Sequence, residues 1–103
     1  MIDSKYLDEL KEIADTLGYE EQSMQLIEEM AELTQAINKH RRYSTKDTLF
    51  NLIEELADVN IVLEQVISYF TTNIKEINTF EFFVDSKIKR TKQRLLEKGR
   101  NIE

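Results

Sequence analysis

Two short acidic segments near the middle of the chain have the residue types and spacing of a metal site. The first is EEMAE at residues 28–32 and the second is EELAD at residues 54–58. In each segment two acids stand three residues apart: Glu29 with Glu32, and Glu55 with Asp58. On a helix this spacing places both carboxylates on one side, close enough to share an ion.

The short connection at residues 43–45 favours antiparallel packing of the two helices that carry these acids. The two pairs lie at similar distances from that connection, so we expect all four acids to converge. Paired acids at helical spacing are most often a solvated face, but two pairs at matching depth, one inside an otherwise apolar helix, favour a site. Glu28 and Glu54 are ambiguous between support for that site and surface charge, and we expect supporting roles.

Oxygen ligands without histidine or sulfur select Mg²⁺, or Mn²⁺, over zinc and copper. The chain has no cysteine, and its one histidine, His40, lies outside both segments. Mg²⁺ held by few carboxylates keeps waters and completes its shell with substrate phosphates. The acids therefore point to chemistry on a phosphate ester.

Four helices are predicted to position these residues. The chain has 103 residues, no proline, two glycines, and 33% charged beside 41% hydrophobic residues, which suits long amphipathic helices and one domain, 1–103. Apolar periodicity and capping residues predict helices over about 4–17, 20–43, from Ser44 or Thr45 to about 70, and 80–98, with a break in the Thr- and Asn-rich stretch 71–79. We expect an all-α antiparallel bundle.

The third helix is apolar around most of its circumference, which is typical of a helix surrounded by others. A chain this short offers it a thin cover, so we expect a homodimer or a homotetramer. The net charge of −6 argues against a nucleic-acid polymer as partner. Without cysteine, a secretory leader or a long apolar run, we expect a cytoplasmic protein and no membrane contact.

At the acidic segments the chain resembles the MazG-like family of all-α nucleoside triphosphate pyrophosphohydrolases. The family signature is Glu-Glu-x-x-Glu on one helix and Glu-x-x-Asp on the next, and here 22 residues separate Glu32 from Glu55. The resemblance covers the second to fourth helices. It implies a bundle that dimerises or tetramerises, Mg²⁺ held by the acids, and cleavage of a nucleoside triphosphate to monophosphate and pyrophosphate.

Carried over residue by residue, the resemblance makes four acids the metal ligands: Glu29, Glu32, Glu55 and Asp58. Glu29 or Glu32 would also assist the deprotonation of the attacking water. The stretch DSKIKR at 85–90 resembles the family's phosphate-binding segment and makes Lys87 and Arg90 the matches, although a basic helix is as often a solvated face. Asn60 departs from the apolar residue expected there, and it would contact the nucleoside or a polar group across the bundle.

Other residues have competing interpretations. His40 is expected to stabilise the end of the second helix, with contact to a partner subunit's nucleotide as the alternative. The aromatic residues Phe80, Phe82 and Phe83 indicate a core or a subunit interface more than base stacking. The main alternative to an enzyme is a non-catalytic helical oligomerisation or interaction module. A di-iron carboxylate bundle is excluded, because it needs Glu-x-x-His pairs on two helices.

Overall fold

The computed structural model describes residues 2–100, and within that range it contains helices and no strand. A short 3₁₀ turn at Ser4–Tyr6 precedes four α-helices: α1 at Leu7–Leu17, α2 at Tyr19–Tyr43, α3 at Lys46–Phe70 and α4 at Ile74–Glu97. The predicted all-α fold is confirmed. These residues fall into two compact units, one extending to Tyr69 and the other beginning at Phe70. None of the described helices is sufficiently long and apolar to span a bilayer.

The boundaries between α1 and α2 and between α2 and α3 follow from local backbone conformation and capping. Gly18 joins α1 to α2 at a φ of 85°, a conformation that residues with a Cβ rarely adopt. Ser44 ends α2 in the left-handed region, at φ 48° and ψ 48°. The Thr45 hydroxyl accepts a hydrogen bond of 3.1 Å from the Thr48 amide and so caps the start of α3.

The start of α4 corrects the prediction of a helix from Phe80. The helix begins six residues earlier, at Ile74, because Asn73 and Glu76 form a capping box: the Asn73 side chain accepts from the Glu76 amide at 2.9 Å, and the Glu76 carboxylate accepts from the Asn73 amide. Thr79, predicted to be the cap, lies within the helix and donates its hydroxyl to the Lys75 carbonyl. The capping box outweighs the weak helix preference of the residues that follow it.

In the first unit, α2 and α3 run antiparallel and α1 is bound to α3 by side-chain hydrogen bonds. The buried Gln65 Nε2 donates to the Leu10 carbonyl at 2.8 Å, and the Tyr69 hydroxyl donates to the Ala14 carbonyl. The buried apolar side chains are few and mostly small: Leu10, Ala14, Ala36 and Val62. Polar contacts therefore contribute an unusual share of the packing of α1.

The expectation that α3 is surrounded by other helices is wrong for the described chain. Only Val62 and Gln65 of α3 are buried, and many of its large apolar residues are exposed. No residue of α4 is buried, and Phe80, Phe82 and Phe83 are all exposed there, so these aromatic residues form no core. The apolar pattern of α3 is typical of a buried helix, but the described helices leave most of these residues exposed.

The contrast between two buried glutamines generates a stability prediction. Gln65 donates to Leu10, whereas Gln22 Oε1 is buried without a hydrogen-bond partner among the described residues. Gln65→Met should lower the free energy of unfolding by about 1 kcal/mol, the usual value of a lost hydrogen bond, and Gln22→Met should leave it unchanged or raise it. Urea unfolding followed by circular dichroism measures both. Equal losses in the two variants would contradict this assignment.

Candidate metal centre

Helices α2 and α3 bring three of the four predicted ligands together. Glu29, Glu32 and Glu55 each offer one carboxylate oxygen, and these three oxygens lie within 4.8 Å of one another. Asp58 is outside this group, but it is near enough for its charge to act on both Glu29 and Glu55. The antiparallel arrangement thus produces the convergence that the spacing of the acids predicts.

Two carboxylate oxygens in this cluster lack the partners that buried polar atoms normally have. Glu29 and Glu55 are half-buried, and Glu32 is exposed. Glu29 Oε2 and Glu55 Oε2 are themselves buried and make no hydrogen bond within the described part of the chain. A buried acceptor without a donor is destabilising, and more so when it is charged. A cation bound between the two helices would satisfy both oxygens, so the residues present fit a hard divalent ion.

The electrostatics of the cluster also favour a positive ligand. Partial burial, followed by the charges of Glu32 and Asp58, raises the pKa of Glu29. The pKa of Glu55 is raised by the same causes in the same order, with Glu29 adding to them. Each of these two carboxyls therefore resists ionisation because it is partly desolvated and lies beside other acids. A bound divalent cation would favour the ionised carboxylates and so lower the pKa of Glu29 and Glu55.

The structure places the supporting candidates near the acidic cluster to different degrees, and it leaves the phosphate-binding candidates untested. The charge of Glu28 contributes to the raised pKa of Glu29, so Glu28 lies close to the cluster. Glu54 is exposed and has no such effect on Glu29 or Glu55. Lys87 and Arg90 are exposed on α4, in the second unit. Their contact with phosphate stays a prediction.

His40 has a partner that the sequence interpretation missed. Its Nδ1 atom lies 2.8 Å from the Thr48 hydroxyl, so the half-buried ring connects the last turn of α2 to the first turn of α3. The Ser44 amide donates to the His40 carbonyl at 2.8 Å beside this contact. The spacing of His40 and Thr48 across a short connection is the signal that could have revealed it. His40 thereby helps to fix the α2–α3 turn that sets the height of the acids.

No protein-family model matches the chain, and the comparisons with curated proteins and with solved structures find no significant match. The resemblance to the MazG-like family therefore depends on the acidic segments and their order along the chain. The geometry of Glu29, Glu32 and Glu55 is independent of that resemblance.

The raised pKa values predict how stability varies with pH in the absence of metal. A carboxyl whose pKa is higher in the folded state binds its proton more tightly there, so it stabilises the fold below the ordinary pKa of about 4.3, and this contribution is lost as the pH rises through the raised value. Melting temperatures in EDTA should fall over this range for the wild type. The fall should be smaller for Glu55→Gln, and an unchanged slope would contradict the crowding of these acids.

Proposed function

We propose that the chain is a cytoplasmic Mg²⁺-dependent nucleoside triphosphate pyrophosphohydrolase of the MazG-like type. It would cleave a ribo- or deoxyribonucleoside triphosphate to the monophosphate and pyrophosphate, a reaction suited to housekeeping of nucleotide pools. The observation that carries the proposal is the meeting of three carboxylate oxygens within 4.8 Å on antiparallel helices. The resemblance of residues 28–32 and 55–58 to the family signature supplies the reaction.

In this proposal Glu29, Glu32, Glu55 and Asp58 hold the ion, with Mn²⁺ as an alternative to Mg²⁺. When bound, the metal neutralises the triphosphate and lowers the pKa of a water. Glu29 or Glu32, kept ionised by the cation, would accept the proton of the attacking water as a general base. Glu28 supports the site through its charge, and Glu54 is the weaker supporting candidate. Lys87 and Arg90 bind the phosphates.

The competing function is a non-catalytic oligomerisation or interaction module, and one observation favours it. Large apolar side chains are exposed on every helix, among them Met24, Ile27, Phe50 and Ile74. The same exposure supports a homodimer or homotetramer of the proposed enzyme. Divalent ions discriminate between the two functions, because an enzyme of this kind is stabilised by Mg²⁺ or Mn²⁺ in proportion to their binding, whereas a simple module is not.

Removing one charge at a time from the acids of α3 tests the metal assignment. Glu55→Gln and Asp58→Asn preserve side-chain volume and should each reduce Mg²⁺-dependent pyrophosphate release by about 100-fold or more, because the ion loses a ligand. Glu64→Gln, an exposed acid on the same helix, is the matched control. Pyrophosphate release is measured with a panel of nucleoside triphosphates, and circular dichroism checks the helices. Full activity in both variants would refute the assignment.

The contribution of the proposed phosphate contacts can be measured separately from metal binding. Lys87→Ala and Arg90→Ala should weaken binding of a non-hydrolysable triphosphate analogue by about 10-fold or more each, with Mn²⁺ affinity nearly unchanged, since these cations act on phosphate oxygens. Lys92→Ala and Lys98→Ala are controls, because a single exposed charge is worth less than about 1 kcal/mol. Parallel titrations of metal and analogue measure the effects. Equal small losses at all four positions would indicate a general electrostatic contribution.

A further inference from the structure

The core of the first unit is polar where α1 meets α2 and α3. The rings of Tyr19 and Tyr69 contact edge to face, with centroids 6.1 Å apart, and the Tyr69 hydroxyl donates to the Ala14 carbonyl of α1. Gln22 lies one helical turn from Tyr19, and Gln65 lies one turn from Tyr69, so both glutamines face the same junction. They are almost fully buried, at 1% and 3% exposed. We call Gln22, Gln65 and Tyr69 the polar cluster.

Helix α1 covers the polar cluster through few contacts. Leu10 and Ala14 are the buried residues among its eleven. Two hydrogen bonds connect it to α3, and each joins one side chain to a backbone carbonyl: Gln65 to Leu10 at 2.8 Å, and Tyr69 to Ala14. Such a bond contributes little net stability, because opening replaces it with a bond to water. A helix with so few buried contacts opens locally at a lower free energy than the rest of a fold.

An unsatisfied acceptor in the polar cluster lowers the cost of this opening. Gln22 Oε1 is buried and makes no hydrogen bond within the part of the chain that the structure describes. When α1 moves away from the junction, water reaches this oxygen and supplies the missing donor. The closed state therefore carries a penalty at Gln22 that the open state does not carry.

Gly18 provides a hinge for α1. It is the single residue between α1 and α2, and it adopts a φ of 85° and a ψ of 164°. A Cβ at this position would meet no atom within 4 Å, so no packed neighbour restrains the backbone there. Because glycine has access to a wide range of φ and ψ, rotation at this residue changes the direction of α1 without any movement of α2.

We propose that α1 is a hinged cover, which moves away from α2 and α3 about Gly18 while these two helices stay folded, and so exposes the polar cluster. The acids lie two turns further along the same helix faces, because Glu29 is seven residues from Gln22 and Asp58 is seven residues from Gln65. A molecule bound at the acids can therefore extend between the two glutamines only when α1 is open. The opening itself is a property of the protomer and does not depend on the proposed enzymatic activity.

Hydrogen exchange of the full chain tests the opening, with mass spectrometry at several urea concentrations below the unfolding transition. The hydrogen-bonded amides of α1 should exchange together, at least about tenfold faster than those in the middle of α2 and with little dependence on urea, because a detached helix of eleven residues is unstable in water. Fraying of the chain end would instead give a gradient from Leu7 to Leu17. Such a gradient, or exchange of α1 only on global unfolding, would overturn the proposal.

Substitutions at two residues of the polar cluster should change the exchange of α1 in opposite directions. Tyr69→Phe removes a bond to α1 and should speed its exchange by about fivefold, the factor expected for one lost hydrogen bond. Gln22→Met removes the unsatisfied oxygen and should slow the exchange, because opening then exposes an apolar side chain to water. Tyr43→Phe, which removes a hydroxyl at a 60% exposed position at the other end of α2, is the matched control. Exchange that speeds up in both cluster variants, slows in both or changes in neither would contradict the hinged cover.

Discussion

Mutual repulsion among the acids between α2 and α3 is the constraint on which the candidate site depends. Glu29, Glu32 and Glu55 bring oxygens within 4.8 Å of one another, and desolvation, followed by the charges of the neighbouring acids, raises the pKa of Glu29 and Glu55. An arrangement of this kind opposes folding unless protons or a cation compensate it. The cluster thus concentrates negative oxygen between α2 and α3, and either bound protons or a cation would compensate this charge.

The turn that connects α2 to α3 determines where along these helices the two acid pairs meet. The left-handed Ser44, the Thr45 cap and the contact between His40 and Thr48 fix how α3 follows α2. A helix rises about 1.5 Å per residue, so an added residue in this connection would shift one acid pair and rotate it by about 100°. The turn therefore determines the geometry of the candidate metal centre from more than two helical turns away.

Local signals in the sequence predicted most of the fold and part of the site. Gly18 gave the boundary between α1 and α2, the basic last turn of α2 and the cap at Ser44 or Thr45 gave the boundary between α2 and α3, and the acid spacing gave the cluster. The start of α4 was missed because Thr79 and Asn73 are both acceptable caps, and only Asn73 has a Glu three residues on to complete a capping box. The burial of α3 was overestimated because the periodicity of a sequence shows which residues are apolar but does not show which other elements cover them. Gln22 and Gln65 were not recognised as core residues, since their burial depends on contacts that no local pattern encodes.

The acidic face and the apolar face of α3 are stabilised by different interactions, and neither interaction can replace the other. Ionised carboxylates require a cation, and its stabilising effect depends on metal concentration. The large apolar residues exposed on α3, such as Phe50 and Ile53, are instead stabilised by contact with other apolar surface. Helical spacing places Phe50 and Ile53 on the side of α3 opposite Glu55 and Asp58, so a cover over the apolar residues would leave the acids facing α2. The two requirements of α3 therefore do not oppose each other, because charge compensation on one side of the helix leaves the apolar residues on the other side unchanged.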